Sequence, residues 1–205
     1  ELRSATGQAL NYANIGAIKE RSGEMDSARI YYNMSMEKNR ECNNLIGISL
    51  CYQNIGELDE AAGKYNEARD NYLKSYEIGL QTKDIWHWLN PCTALTALSL
   101  KEGKIDEAER YNNEALSSAI RINAKGRLSY LYSLQAKIYE ERGDFEKALE
   151  SAKTSIAYKD SADIEENRIH TQNLRVNYEI NKRIKYVEEA EAKALHEKEM
   201  RDMTL

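Results

Sequence analysis

The hexapeptide GEMDSA at residues 23–28 returns three times in altered form, as GKYNEA at 63–68, GKIDEA at 103–108 and GDFEKA at 143–148. Each copy begins with glycine, ends with alanine and starts 40 residues after the copy before it. A fixed period of roughly 20–50 residues is typical of repeat architectures, in which one supersecondary unit stacks on the next. The hexapeptide therefore predicts a repeat protein.

The residues around each copy have the spacing of a helix hairpin. Before the first glycine, Tyr12, Ile15 and Ile18 recur at the interval of one helix face. The glycine ends that helix, because it enters the left-handed conformation without a Cβ penalty. The acidic residues that follow favour the first turn of a second helix, where carboxylates meet the positive end of the helix dipole. Small residues at Gly16 and Ala28 predict that the two backbones approach closely.

This pattern resembles the tetratricopeptide repeat. The stretches YANIGAIKERSGEMDSARIYYNMS at residues 12–35 and YSLQAKIYEERGDFEKALESAKTS at 132–155 carry the resemblance. The resemblance implies an all-α protein, a right-handed α-solenoid of four helix hairpins followed by a long C-terminal capping helix. The unit of 40 residues exceeds the common unit of about 34, so we expect longer helices and a changed superhelix pitch.

The expected solenoid covers residues 1–160, with repeats near 9–48, 49–88, 89–128 and 129–160. In the third repeat, Pro91 suits the first turn of a helix with Asn90 as its N-cap, because the missing proline N–H is unpaired there.

Residues 161–205 are predicted to form a capping helix that continues into a charged connector. Its first half is expected to cover the open end of the solenoid with its apolar residues Ile164, Ile169, Leu174, Val176 and Ile180. Its second half has a thin apolar seam of Ile184, Val187, Ala190 and Ala194. Such a seam favours a weak coiled coil or a connector.

Several chemistries find no support in the sequence. We expect no catalytic residues and therefore no enzyme, no cofactor and no metal site; Glu166 and His170 stand four apart, but two ligands do not make a site. The net charge of −5 argues against direct nucleic-acid binding. Cys42, Cys51 and Cys92 contain no C-x-x-C pair and are interpreted as small apolar residues.

The resemblance implies that the first helix of each hairpin lines a concave face. The candidate peptide-binding residues on that face are Asn14, Gln53, Asn54, Glu57, Lys101, Tyr130 and Lys137. An asparagine amide can pair with both the N–H and the C=O of an extended peptide. The alternative is that Asn14 and Asn54 form hydrogen bonds with neighbouring helices. Trp88 is expected in the core between repeats, whereas Trp86 is a candidate exposed anchor.

A second resemblance concerns residues 158–183, YKDSADIEENRIHTQNLRVNYEINKR, which are similar to the segment that closes the repeat region of Bacteroidetes regulators. It implies a sensory or docking region of a bacterial signalling or transcription-regulatory protein, with any membrane contact made by a segment beyond residue 205. The expected partner is a protein or peptide, and the compartment, periplasm or cytoplasm, stays open. The alternative function is an oligomerisation scaffold, with a weak homodimer through the C-terminal helix.

Overall fold

The computed structural model describes residues 2–202, with the side chains of residues 4–188. That part of the chain contains eight α-helices and no strand, which confirms the all-α prediction. The helices are α1 Leu2–Arg21, α2 Met25–Glu41, α3 Leu45–Ala61, α4 Tyr65–Thr82, α5 Ile85–Lys101, α6 Ile105–Arg121, α7 Lys125–Glu141 and α8 Phe145–Asp202. The chain divides into two compact units, Glu1–Tyr158 and Lys159–Leu205.

Consecutive helices of the first unit pack as hairpins, and the first helices of neighbouring hairpins also touch. Contacts join α1 to α3, α3 to α5 and α5 to α7. The odd-numbered helices therefore lie side by side and form one face of the stack.

The four repeat glycines end the first helices, as the sequence predicts. Their φ angles lie between +71° and +78°, in the left-handed region. At the first turn the amide of Gly23 donates to the carbonyl of Glu20, and the amide of Glu24 donates to the carbonyl of Lys19, both at 2.9 Å. This pair of bonds is the Schellman motif, which satisfies carbonyls left unpaired at a helix end.

The turns between hairpins use a second set of left-handed residues that the sequence reasoning missed. Asn43, Lys83 and Asn123 have φ of +52°, +57° and +52°. Asparagine tolerates this conformation better than other side chains. Asn43 and Asn123 each lie halfway between two repeat glycines, and this spacing is the signal from which these turns could have been predicted.

The prediction that Asn90 caps a helix beginning near Pro91 is wrong. Helix α5 begins at Ile85, and the Asp84 carboxylate caps it by accepting the His87 amide at 3.2 Å. Pro91 lies inside α5 and is fully buried. The Asp84 carboxylate, six residues before Asn90, already accepts a hydrogen bond from one of the unpaired backbone N–H groups at the start of the helix.

Gly16 and Gly56 of the first two hairpins make room for a tyrosine ring, and at Gly56 the backbone oxygen of Ala68 also lies 3.3 Å from where a Cβ would stand. A Cβ added at Gly16 would lie 2.7 Å from the ring of Tyr32, and one at Gly56 would lie 2.6 Å from the ring of Tyr72. Of the alanines that end the four hexapeptides, Ala28, Ala68 and Ala108 are at 0% exposure, whereas Ala148 is half-buried.

Helix α8 contains the second helix of the fourth hairpin and the predicted capping segment in one element. It runs unbroken from Phe145, because neither glycine nor proline follows Gly143. Ile164, Ile169 and Leu174 are 69%, 50% and 56% exposed, and the capping of the solenoid by this segment stays a prediction. Of the predicted seam, Ile184 and Val187 are half exposed, while Ala190 and Ala194 lie outside the residues whose side chains the structure describes. No helix of the described residues has both the length and the apolarity needed to cross a membrane.

Candidate peptide-binding groove

A groove of about 310 Å³ runs across the face formed by α3, α5 and α7. Residues three or four apart on a helix share a face, which explains why positions such as 50, 53, 54 and 57 of α3 all reach it. The lining residues are Leu50, Gln53, Asn54, Glu57, Glu60, Tyr72, Asn90, Thr93, Ala94, Ala97, Arg127 and Tyr130.

Four predicted binding residues, Gln53, Asn54, Glu57 and Tyr130, come together in this groove. Lys101 joins them indirectly, because its ammonium group forms an ion pair with Glu60 at the groove wall.

Two other predicted residues do not line it. Asn14 on α1 and Lys137 on α7 are both exposed, but neither reaches the groove. Their proposed contact with a peptide stays a prediction.

Asn54 is half-buried in the groove, and its side-chain amide makes no hydrogen bond within the described part of the chain. The alternative from the sequence, that this asparagine bonds a neighbouring helix, is therefore not what the structure shows. An amide left without an internal partner on a concave surface offers one donor group and one acceptor to a ligand.

Gln53 stands beside it and is 6% exposed. Its Nε2 donates to Oε1 of Glu57 at 2.8 Å. Its own Oε1 is buried and has no hydrogen-bond partner among the described residues. A buried acceptor without a donor costs free energy, which makes this oxygen a candidate acceptor for a donor group of a ligand.

The other polar groups on this wall are paired. The Tyr72 hydroxyl donates to Glu60 at 2.8 Å, as the Tyr32 hydroxyl donates to Glu20 at 2.6 Å in the preceding hairpin. Burial and these carboxylates raise the pKa of both tyrosines, so both hydroxyls stay protonated donors.

On the opposite wall, Arg127 donates to the side-chain oxygen of Asn90. Sequence reasoning missed this pair, together with Tyr72. The two members come from α5 and α7, so only the stacking of the third and fourth hairpins brings them together.

Glu57 has an unusual electrostatic position. Its side chain is open to solvent, yet protein atoms around it displace part of its hydration, and this raises the pKa of its carboxyl. Glu20 and Glu60 raise it further, while the bond from Gln53 and the charge of Arg127 act in the opposite direction.

The tryptophans lie elsewhere. Trp88 is 9% exposed and packs against Gly79, where an added Cβ would come within 2.6 Å of the indole. It lines a second cavity of about 340 Å³ with Leu80, Ile85 and Arg121. Trp86 is 60% exposed, and its role as an anchor stays a prediction. The described residues hold no group of three or more potential metal-binding side chains.

Stacked helix hairpins with a polar groove on the first-helix face define an α-solenoid of the helical-repeat class. Over residues 6–81 the sequence matches the family model described as tetratricopeptide repeat. This match confirms the principal resemblance, that to the tetratricopeptide repeat, over the first two hairpins. No curated protein matches the sequence.

Three of the solved structures that are similar to this chain have TM-scores between 0.57 and 0.72. BtubC (BKLC) from P. vanneervenii has a TM-score of 0.65 and 19% identity, with 76% of this chain and 64% of that chain covered. Aspartyl phosphate phosphatase F from Bacillus subtilis has a TM-score of 0.72 and 16% identity, with coverages of 77% and 41%. The apo form of RapI has a TM-score of 0.57 and 17% identity, with coverages of 79% and 72%.

This chain thus spans less than two thirds of the length of the first two proteins. At these identities the similarity concerns the fold alone.

Proposed function

We propose that the groove on α3, α5 and α7 binds an extended segment of a partner protein or peptide. The observation that carries the proposal is the half-buried Asn54 amide, which has no internal hydrogen bond and lies next to the unpaired Oε1 of Gln53. A peptide backbone supplies both the acceptor and the donor that these groups lack. The tetratricopeptide-type fold, a scaffold for binding proteins, supports the same function rather than catalysis.

We further propose that this binding serves a bacterial signalling or transcription-regulatory protein, of which the chain is the sensory or docking region. The resemblance of residues 158–183 to the segment closing such repeat regions supports this context. Any membrane contact belongs, in this proposal, to a segment beyond residue 205.

Random heptapeptides displayed on phage and selected on the protein would provide a defined probe. The best synthetic peptide is then titrated against the parent chain and the Asn54→Ala variant. We expect the variant to keep its helical circular dichroism and to lose about 1–3 kcal/mol of affinity, because a buried peptide group is left unpaired.

Asn113→Ala is the matched control, since Asn113 is exposed on α6 and lies outside the groove. Equal affinities in all three proteins would move the binding site away from Asn54.

The second candidate function is an oligomerisation scaffold, and a specific feature of α8 favours it. Five aliphatic side chains spaced along one side of the helix are each about half exposed, namely Ile169, Val176, Ile180, Ile184 and Val187. An apolar stripe on an otherwise charged helix is typical of a helix–helix interface. A second copy of α8 would cover it.

Sedimentation velocity distinguishes this candidate. A dimer of the parent chain that dissociates in the Val176→Asp/Ile180→Asp variant supports the scaffold. Tyr178→Asp is the control, because Tyr178 is 65% exposed and its position on the helix faces away from the stripe. A monomeric parent chain at about 100 µM, well above typical constants for specific dimers, contradicts it.

A further inference from the structure

The two carboxylates of the groove, those of Glu57 and Glu60, differ in whether a positively charged side chain pairs with them. Glu60 receives the hydroxyl of Tyr72 and the ammonium group of Lys101. Glu57 receives only the neutral amide of Gln53, and it forms no ion pair with any described residue. Glu57 is thus the one groove carboxylate, within the described residues, that no cation neutralises.

The cations of the groove do not change this balance. Lys101 is paired with Glu60, and Arg127 is bonded to Asn90. Arg127 lowers the pKa of Glu57 through its charge. This effect is smaller than the opposing effects of the partial loss of hydration and of the charges of Glu20 and Glu60. The side of the groove around α3 therefore has an excess of negative charge.

A second and independent feature lies at the same point. Gln53 is 6% exposed, lines the groove and has a buried Oε1 with no donor among the described residues. Its amide group is already joined to Glu57 through Nε2. A positively charged group with several N–H donors would serve the Glu57 carboxylate and the neighbouring amide oxygen together.

We infer that the groove recognises a basic side chain of its partner, a lysine or an arginine, which docks on Glu57 with Oε1 of Gln53 as a second acceptor. The inference rests on the proposed function, because Asn54 on the next position of α3 would hold the partner backbone. It adds the chemistry by which one peptide is preferred over another. A groove that pairs its carboxylate with a charged peptide side chain away from bulk water discriminates strongly against peptides that have a neutral side chain there.

The pH dependence follows from the state of Glu57. Its pKa is raised in the empty groove, so the carboxylate becomes protonated at a pH above its ordinary range. Only the ionised form pairs with a cation, while arginine stays charged throughout. Affinity for a basic peptide is expected to fall as the pH drops through this raised pKa.

The probes are three capped heptapeptides of alanine with arginine, norleucine or glutamate at the centre, titrated by isothermal calorimetry at low salt. We expect the arginine peptide to bind about tenfold more tightly than the norleucine peptide, a difference of about 1.4 kcal/mol, because only the arginine forms a charge-assisted hydrogen bond. The glutamate peptide should bind most weakly. The preference should disappear in Glu57→Gln and weaken in Gln53→Met.

Glu77→Gln is the matched control, because it makes the same change of charge at an exposed position of α4 outside the groove. It should keep the full preference for arginine. Thermal unfolding of Glu57→Gln establishes that the variant is folded. Equal binding of all three peptides, lost in Asn54→Ala, would overturn the basic subsite and leave the groove standing. Binding of none of them to the parent chain would overturn the subsite and the proposed function together.

Discussion

The third and fourth hairpins carry the same repeat pattern but differ in how much of it is buried. Ala108 is 0% exposed, whereas Ala148 at the same repeat position is half-buried. Leu116 is 7% exposed, whereas its counterpart Ile156 is 60% exposed. The hairpin itself is thus specified within each repeat, while the burial of its second helix depends on the hairpin that follows. In the described solenoid, α6 is followed by α7, and the corresponding part of α8 has no such neighbour.

The same contrast appears in the polar contacts between hairpins. Glu109, six residues after the repeat glycine of the third hairpin, forms an ion pair with Arg142 of the next hairpin. In the fourth hairpin this position is Leu149, which is 57% exposed. A leucine cannot make the inter-hairpin ion pair, so the sequence itself distinguishes the last hairpin from the others.

The largest difference in stability between the third and fourth hairpins is expected when the apolar residue at the repeat position of Leu116 and Ile156 is truncated. Leu116→Ala should lower the free energy of unfolding by about 2–5 kcal/mol, because it opens a cavity between hairpins. Ile156→Ala should change it by no more than about 0.5 kcal/mol, as for other exposed positions. Urea denaturation followed by circular dichroism measures both. Similar losses would mean that Ile156 is covered in solution, as a dimer or a further repeat would cover it.

An intermediate difference is expected when the alanine column is enlarged. Ala108→Leu should cost about 1–3 kcal/mol, since a fully packed contact must be forced apart. Ala148→Leu should cost less, because the half-buried site has room for the larger side chain. The shift in denaturation midpoint reports each change. A midpoint unaltered in Ala108→Leu would show that the column is not a close contact.

The smallest difference, near zero, is expected at the turns. Gly103 and Gly143 have φ of +71° and +77°, a conformation that costs an alanine about 1–2 kcal/mol. The cost arises within the turn and does not depend on a following hairpin. Gly103→Ala and Gly143→Ala should therefore lower the unfolding free energy by the same amount. A clearly smaller loss in Gly143→Ala would show that the last turn is not stably formed.

Local features explain most of what the sequence predicted. The 40-residue period locates the helix ends because each glycine acts within its own turn. Gln53, Asn54 and Glu57 were found because the tetratricopeptide resemblance implies which helix lines the concave face, and helical spacing places all three on one side of it. Arg127 was missed, since its place in the groove depends on how one hairpin stacks on the next. Pro91 was misinterpreted, because an N-cap at Asp84 overrides what a proline favours by itself.

The regular chain reversals, at a left-handed residue every 20 positions from Gly23 to Gly143, also bear on how the protein folds. The contacts within each hairpin join residues that are close in the chain. The Ser35 hydroxyl donates to the Ala9 carbonyl, and the Ser129 hydroxyl donates to the Ser155 carbonyl. Each of these bonds spans 26 positions. Such a low contact order favours folding on the microsecond-to-millisecond scale. Each hairpin can nucleate and extend to its neighbours, so a protein of this kind can gain ordered structure progressively as its chain leaves the ribosome.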